Sequence, residues 1–185
     1  IRIFEIMPSP EIVIIDGIRT PFVKAWTLFN DLPAQKLGSL CVTELLQRTE
    51  IDPEDIDELI FGCVGQPSDA AYVARVISLM AGIPKSKRAY TVSRNCASGL
   101  EAVMSAAEKI SVSQVETVIA GGTESMSNAP LLFSKEATNL FLSLQRGRSL
   151  ADKLATLAQF RPKHFAPRSA IQMALTDPVC GLNMG

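Results

Sequence analysis

Residues 89–110 read AYTVSRNCASGLEAVMSAAEKI, and the change of period inside them sets the fold class. Ala89 to Ser93 is an apolar run of strand length. From Leu100 the apolar residues return at helical spacing, as Leu100, Val103, Met104, Ala107 and Ile110. Between the two periods lies a short polar turn carrying Cys96. The same alternation continues outward. Strands are expected at Glu11 to Asp16, Leu59 to Val64 and Val115 to Ala120, and helical faces at Leu37, Leu40, Cys41 and Leu45 and at Val73, Ala74, Ile77 and Met80. Three β-α-β crossovers follow, which makes the first two-thirds of the chain an α/β domain. The near-continuous apolar run Ile12-Val13-Ile14-Ile15 suits a sheet covered on both faces.

After Gly121-Gly122 the alternation stops. Residues 1–123 are expected to form the α/β core and residues 124–185 a second region. That region opens with a Leu-rich, basic helical stretch from Lys135 to Phe160, ending at Arg161-Pro162. The last twenty residues, with Pro167, Pro178 and Gly181, look like loop. The chain starts at Ile1 rather than Met and stops at Gly185 without a closing element, so it is expected to be part of a longer polypeptide.

Composition narrows the function classes. With 185 residues, 47% hydrophobic and 20% charged, the chain can bury a sizeable core. A net charge of -1 argues against a nucleic-acid partner. Cys41, Cys63, Cys96 and Cys180 form no C-x-x-C pair, so neither a zinc site nor a disulfide framework is indicated, and a reducing compartment fits. No apolar run approaches the roughly 20 residues of a membrane span, and no signal peptide is visible. A soluble protein is expected.

Cys96 has the address of a nucleophile. A cysteine directly after a strand and at the first turn of a helix meets unpaired backbone N–H groups and the positive end of the helix dipole. Both favour the thiolate and lower the thiol pKa from its reference of about 8.5. The same N–H groups can bind an oxyanion. Asn95 or Ser93 can cap the helix, and Ala97, Ser98 and Gly99 keep side chains small where a substrate carbonyl must approach. A buried structural cysteine is the competing reading.

The run Asn95-Cys96-Ala97-Ser98-Gly99-Leu100 resembles the active-site cysteine motif of thiolases. Asp16-Gly17-Ile18-Arg19-Thr20-Pro21-Phe22 resembles the family's first-strand signature, and Ala120-Gly121-Gly122-Thr123-Glu124-Ser125-Met126-Ser127 the segment that leaves its amino-terminal core for the loop domain. Ser134 to Pro167 resembles the long-chain 3-ketoacyl-CoA thiolases that act beside a multifunctional β-oxidation partner. The resemblance implies an αβαβα layered fold, of which this chain supplies the amino-terminal half, with a mixed, mostly parallel sheet, plus part of a helical loop domain. It further implies that Cys96 forms an acyl-thioester with a 3-oxoacyl-CoA and passes the acyl group to CoA. CoA and acyl-CoA are then substrates, with no tightly bound cofactor and no metal. It also implies a homo-oligomer, and a cytoplasmic location, mitochondrial in a eukaryote.

Other family roles find no residue here. The Gly-His-Pro histidine has no counterpart, and Cys180-Gly181-Leu182 fits the family's Cys-x-Gly only superficially, because its flanks resemble the loop domain. His164, in Arg161-Pro162-Lys163-His164-Phe165, reads as a solvated loop histidine, while Cys41 and Cys63 read as packing residues. Between Lys135 and Arg168 seven Lys/Arg face two acids, a surplus of +5 that leaves the rest of the chain at -6. Three readings stand for this stretch: a solvated face, attraction of CoA phosphates, or contact with an anionic membrane surface. For the whole chain the alternatives are an acetoacetyl-CoA thiolase, the related ketoacyl synthases, and a non-catalytic half-domain serving as an assembly module.

Overall fold

A computed structural model describes residues 11–184, leaving aside the side chains of Ile171 and Gln172. The chain divides into two compact units, one ending at Asn128 and one beginning at Ala129. Residues 124–128, placed by sequence with the second region, are hydrogen-bonded into the first unit instead.

In the first unit β1 (Glu58–Gly62), β2 (Arg88–Val92) and β3 (Val118–Gly122) form a parallel sheet in the order β2-β1-β3, with Ile60 opposite Tyr90 and Ala120. Helices α1 (Ala34–Thr49), α2 (Val73–Met80) and α3 (Ser98–Ser111) cover it. The alternation along β1 divides the core. Leu59, Phe61 and Cys63 point to one face and pack with Val42, Leu46, Val73, Ala74 and Ile77 of α1 and α2. Ile60 points to the other face and meets Ala102 and Ala106 of α3. A central strand that feeds both faces has no polar side to spare, so all of β1 is buried. Each large aliphatic side chain buried this way is worth about 1.5–3 kcal/mol.

Burial of all five β1 residues includes the charged Glu58. Its carboxylate accepts a hydrogen bond from Lys109 Nζ at 2.6 Å and lies 3.7 Å from Arg88 Nε. Lys109 also sits 4.9 Å over the Tyr90 ring. The buried carboxylate is thus paired, as burial of a charge requires. A second tie closes the same end of the sheet: Asp57 accepts from the backbone N–H groups of Glu116 and Thr117.

Two crossovers are present, β1-α2-β2 and β2-α3-β3, where sequence indicated three. The expected first strand, Glu11 to Asp16, has no ladder partner and is not a strand, and Val13, Ile14 and Ile15 are exposed. Apolar composition makes a segment suitable for a sheet; only a neighbouring edge makes it a strand.

In the second unit, α4 (Lys135–Arg146) and α5 (Leu150–Leu157) replace the single helical stretch expected to Phe160. The break falls at Gly147-Arg148, and the Ser149 side chain with Asp152 forms a capping box that starts α5 afresh. Phe133, Phe141, Phe160 and Phe165 form a ring cluster. The final stretch is not all loop: β4 (Leu131–Leu132) pairs antiparallel with β5 (Arg168–Ser169), which runs into a short helix, α6 (Ala170–Ala174). Among the described residues no helix is long and apolar enough to cross a membrane.

Candidate active site

The carboxyl ends of parallel strands are where α/β proteins bind ligands, above all where successive connections leave to opposite faces. Here β1 exits toward α2 on one face and β2 toward α3 on the other. Cys96 lies in the second of these exits, as a free and exposed thiol.

Its turn is tightly specified. Asn95 adopts φ 50°, a left-handed conformation that asparagine tolerates better than most residues. Ser98 Oγ accepts from Arg94 N at 2.7 Å and donates to Asn95 O at 2.6 Å, so the serine of the motif buttons the turn from inside. Neither Asn95 nor Ser93 caps α3, whose N-cap position is Ala97 and carries no side-chain cap. The amides of Ala97 and Ser98 bond Arg94 O and Asn95 O at 3.1 Å each. These two N–H groups are engaged within the turn. Outside it, the exposed Arg94 pairs with the half-buried Glu101 at 2.6 Å.

Glycines let the turn sit directly on the sheet. A Cβ on Gly62, at the end of β1, would stand 2.3 Å from the Ser98 carbonyl carbon and oxygen. A Cβ on Gly122, at the end of β3, would stand 3.1 Å from Gly99 Cα. Backbone therefore rests on backbone at both points, Gly62 against Ser98 and Gly122 against Gly99.

The Thr123–Asn128 segment acts as a buckle. Thr123 Oγ1 donates to Ala34 O at 2.7 Å, Ser125 Oγ to Leu32 O at 2.9 Å, and Asn128 Nδ2 to Asn30 O at 3.0 Å. Ser127 Oγ accepts from Trp26 N at 2.8 Å. Glu124 points the other way, its two carboxylate oxygens accepting from Val64 N and Gly65 N at 3.0 Å each. Sequence reading recognised this run by its resemblance and missed its task; the alternation of hydroxyl, amide and carboxylate side chains after a strand was the available signal.

Of the remaining candidates, Cys63 and Cys41 lie in the first unit and Cys180 and His164 in the second. Cys63 is buried at the end of β1, and burial, reinforced by the Glu124 carboxylate, pushes its thiol up to about 12, as befits a packing residue. Cys41 is half-buried on α1. Cys180 is exposed in a turn of the second unit, where the Asp177 carboxylate accepts from Val179 N and Cys180 N. His164 is not solvated: it is buried, Nδ1 accepting from Arg161 N at 3.1 Å, with its ring edge-on to Phe160. Acceptance at Nδ1 makes the neutral ring the Nε2–H tautomer. Among the described residues no cluster of His, Cys, Asp or Glu suited to a metal is present. A pocket bordered by Glu54, Asp55, Asp57 and Glu116 lies at the opposite, amino-terminal end of the strands.

A parallel sheet covered by helices on both faces, with a free thiol exposed at a strand-to-helix turn on its carboxyl edge, defines an α/β protein. Residues 12–174 match the family model for the thiolase N-terminal domain, and the chain belongs to the thiolase family. It is 40% identical to a 3-ketoacyl-CoA thiolase of Pectobacterium carotovorum and 38% identical to one of Colwellia psychrerythraea, in each case over 94% of this chain and 39% of the relative. The chain thus spans about two-fifths of the length of these relatives. The fold matches the crystal structure of the Bacillus anthracis acetyl-CoA acetyltransferase with a TM-score of 0.73 at 28% identity, over 91% of this chain and 38% of that one. It matches an Ascaris suum thiolase in complex with coenzyme A with a TM-score of 0.72 at 27% identity, over the same shares.

Proposed function

We propose that this chain is the nucleophile-bearing portion of a 3-ketoacyl-CoA thiolase and that Cys96 carries the acyl group. The observation that carries the reading is the exposed Cys96 thiol, held in a buttoned turn at the carboxyl edge of the sheet inside the family's cysteine motif. In the forward direction the thiolate adds to C3 of a 3-oxoacyl-CoA. The C2–C3 bond then breaks, its electron pair passing to C2, which takes up a proton as acetyl-CoA leaves. The thioester left on Cys96 is attacked by the sulfur of free CoA, which carries off the acyl group and restores the thiolate. Splitting the cleavage this way uses a sulfur that both attacks and leaves well.

The family's histidine and second cysteine have no match in these residues, so the 185-residue chain alone is expected not to turn over. Loss of one member of a catalytic set commonly removes orders of magnitude of rate. CoA and acyl-CoA as substrates, a homo-oligomeric state, a β-oxidation partner and a cytoplasmic or mitochondrial location belong to this same reading. A second reading, an assembly module without catalysis, has one observation in its favour: Leu100, Val103 and Met104 of α3 are exposed. A half-chain face of that kind suits docking.

Intact-mass measurement after incubation with acetyl-CoA separates the two. An acetyl adduct present in the wild type and absent in Cys96→Ser supports the nucleophile. A folded protein that takes up no acetyl group, or takes it up equally in Cys96→Ser, refutes an autonomous acyl-accepting site and favours the module.

A further inference from the structure

We infer that Glu124 is a positioning residue for Cys96, the tie that holds together the strand exits on which the cysteine turn is seated. This rests on the reading of Cys96 as the nucleophile. Three backbones converge at the carboxyl end of the sheet: Gly62, leaving β1; Gly122, leaving β3; and the Ser98-Gly99 start of α3, which lies on both glycines. Strand pairing ends at Gly62 and Gly122. Beyond that point the β1 exit is held to β2 by Cys63 N on Val92 O at 3.2 Å, and to the β3 exit by Thr123 N on Gly62 O at 3.0 Å and then by Glu124, which grips Val64 N and Gly65 N with one oxygen each.

Chemistry singles out a carboxylate here. The successive amides of Val64 and Gly65 each take one oxygen of the same side chain, and a carboxylate supplies both acceptors, with bonds stronger than neutral ones. Glutamine would turn an NH2 group toward one of them. The loop is shaped to admit the carboxylate as well. A Cβ on Gly65 would stand 2.8 Å from Glu124 Oε1, while its backbone needs no left-handed conformation, so glycine serves there by leaving room. Without the tie, the β1 exit loosens beneath α3, and the turn that presents Cys96 loses one of its two seats.

The test uses the 185-residue chain with limiting iodoacetamide, scoring each cysteine by peptide mass. Cys180, exposed and in the other unit, is the internal reference. Glu124→Ala is expected to slow Cys96 about tenfold relative to Cys180, Glu124→Gln, which keeps one neutral acceptor, about threefold, as befits loss of both bonds against loss of one bond and of the charge on the other. Hydrogen exchange at Val64 and Gly65 should rise in the same order. Gly65→Ala, which displaces the carboxylate without removing it, should shift both readouts in the direction of Glu124→Gln. A wild-type Cys96 no faster than Cys180 would sink the nucleophile, and Glu124's role with it. A fast wild-type Cys96 that stays fast in Glu124→Ala, while the two amides lose protection, overturns the positioning role alone. Loss of the folded circular dichroism signal in both Glu124 variants would make the residue a stability element and overturn the proposal equally.

Discussion

Replacing Gly62 with alanine sets a methyl carbon 2.3 Å from both the carbonyl carbon and oxygen of Ser98 and 2.7 Å from Gly99 N. All three atoms are backbone, and non-bonded atoms of these kinds rest at about 3.5 Å, so the first turn of α3 or the end of β1 must move by roughly 1 Å. Neither is free to do so. Strand β1 is paired on both sides, and α3 is anchored by buried Ala102 and Ala106. Overpacking of this kind costs about 1–3 kcal/mol, occasionally more. For a unit of this size each kcal/mol lowers Tm by about 4 °C. The expected result of urea denaturation followed by circular dichroism is a midpoint shifted down with an unchanged slope, the sign of lost stability and an intact cooperative unit. Cys96 alkylation should change in the same variant, because the strain falls on its own turn. Gly122→Ala, with a nearest approach of 3.1 Å, should be milder, and Gly17→Ala, which meets nothing within 4 Å, should lie within about 0.5 kcal/mol of wild type. A Gly62→Ala protein as stable as Gly17→Ala, with Cys96 reacting at the wild-type rate, would refute the claim that the nucleophile turn is seated on glycine backbone.

Backbone N–H groups of Glu116 and, next, Thr117 hold the Asp57 carboxyl below its ordinary 3.8. A depressed carboxyl stabilises the fold above its unfolded-state pKa and stops doing so as pH falls through the lower folded value. Asp57→Ala should therefore cost about 1 kcal/mol at neutral pH, with the gap to wild type closing below pH 3.8 in acid titrations of stability. Glu58→Leu leaves Lys109 without its partner, an expected cost of about 2–3 kcal/mol, kept below the figure for a fully buried pair because Lys109 retains some solvent. The double variant with Lys109→Leu should recover part of it, and additive losses in a double-mutant cycle would show the pair to be uncoupled. In the second unit Leu150, Leu154 and Leu157 are exposed at helical spacing amid basic residues. Co-sedimentation with anionic vesicles at low salt should be lost in Leu154→Glu; wild-type protein that stays in the supernatant removes the membrane-surface reading.

The strand-turn-helix around Cys96 was legible because every signal for it is local. A strand-length apolar run, a polar turn of small residues and a helical period follow one another within some twenty positions, and the structure returns β2, the turn and α3 in that order. What failed was non-local. Glu11 to Asp16 has the composition of a strand, yet pairing depends on which edges are open, and sequence does not show edges. His164 was read from its basic, proline-bounded neighbours, whereas its burial comes from Phe160 and from the amide of Arg161. The buckle bonds from Thr123–Asn128 to earlier segments span 59 to 101 positions, beyond the reach of any periodicity. Even near Cys96 the capping expectation missed, since it looked to Asn95 and Ser93 while Ser98, already inside the helix, closes the turn.

The composition of α3 bears on where the site ends. A helix that packs on a sheet with one face and meets water with the other carries a polar outer face. This one is buried along Ser98, Ala102 and Ala106 and yet turns Leu100, Val103 and Met104 outward. Small residues on the covered side bring the helix close to the glycine-bearing strand ends; large apolar residues on the open side have no comparable task within the first unit. Apolar residues on both faces are the pattern of an element covered on both sides, and each large side chain taken from water there would add about 1.5–3 kcal/mol. Cys96 stands at the amino-terminal end of that helix, so whatever covers the outer face also borders the thiol. The first unit presents the Cys96 thiol in a chain that spans 39% of its relatives' length.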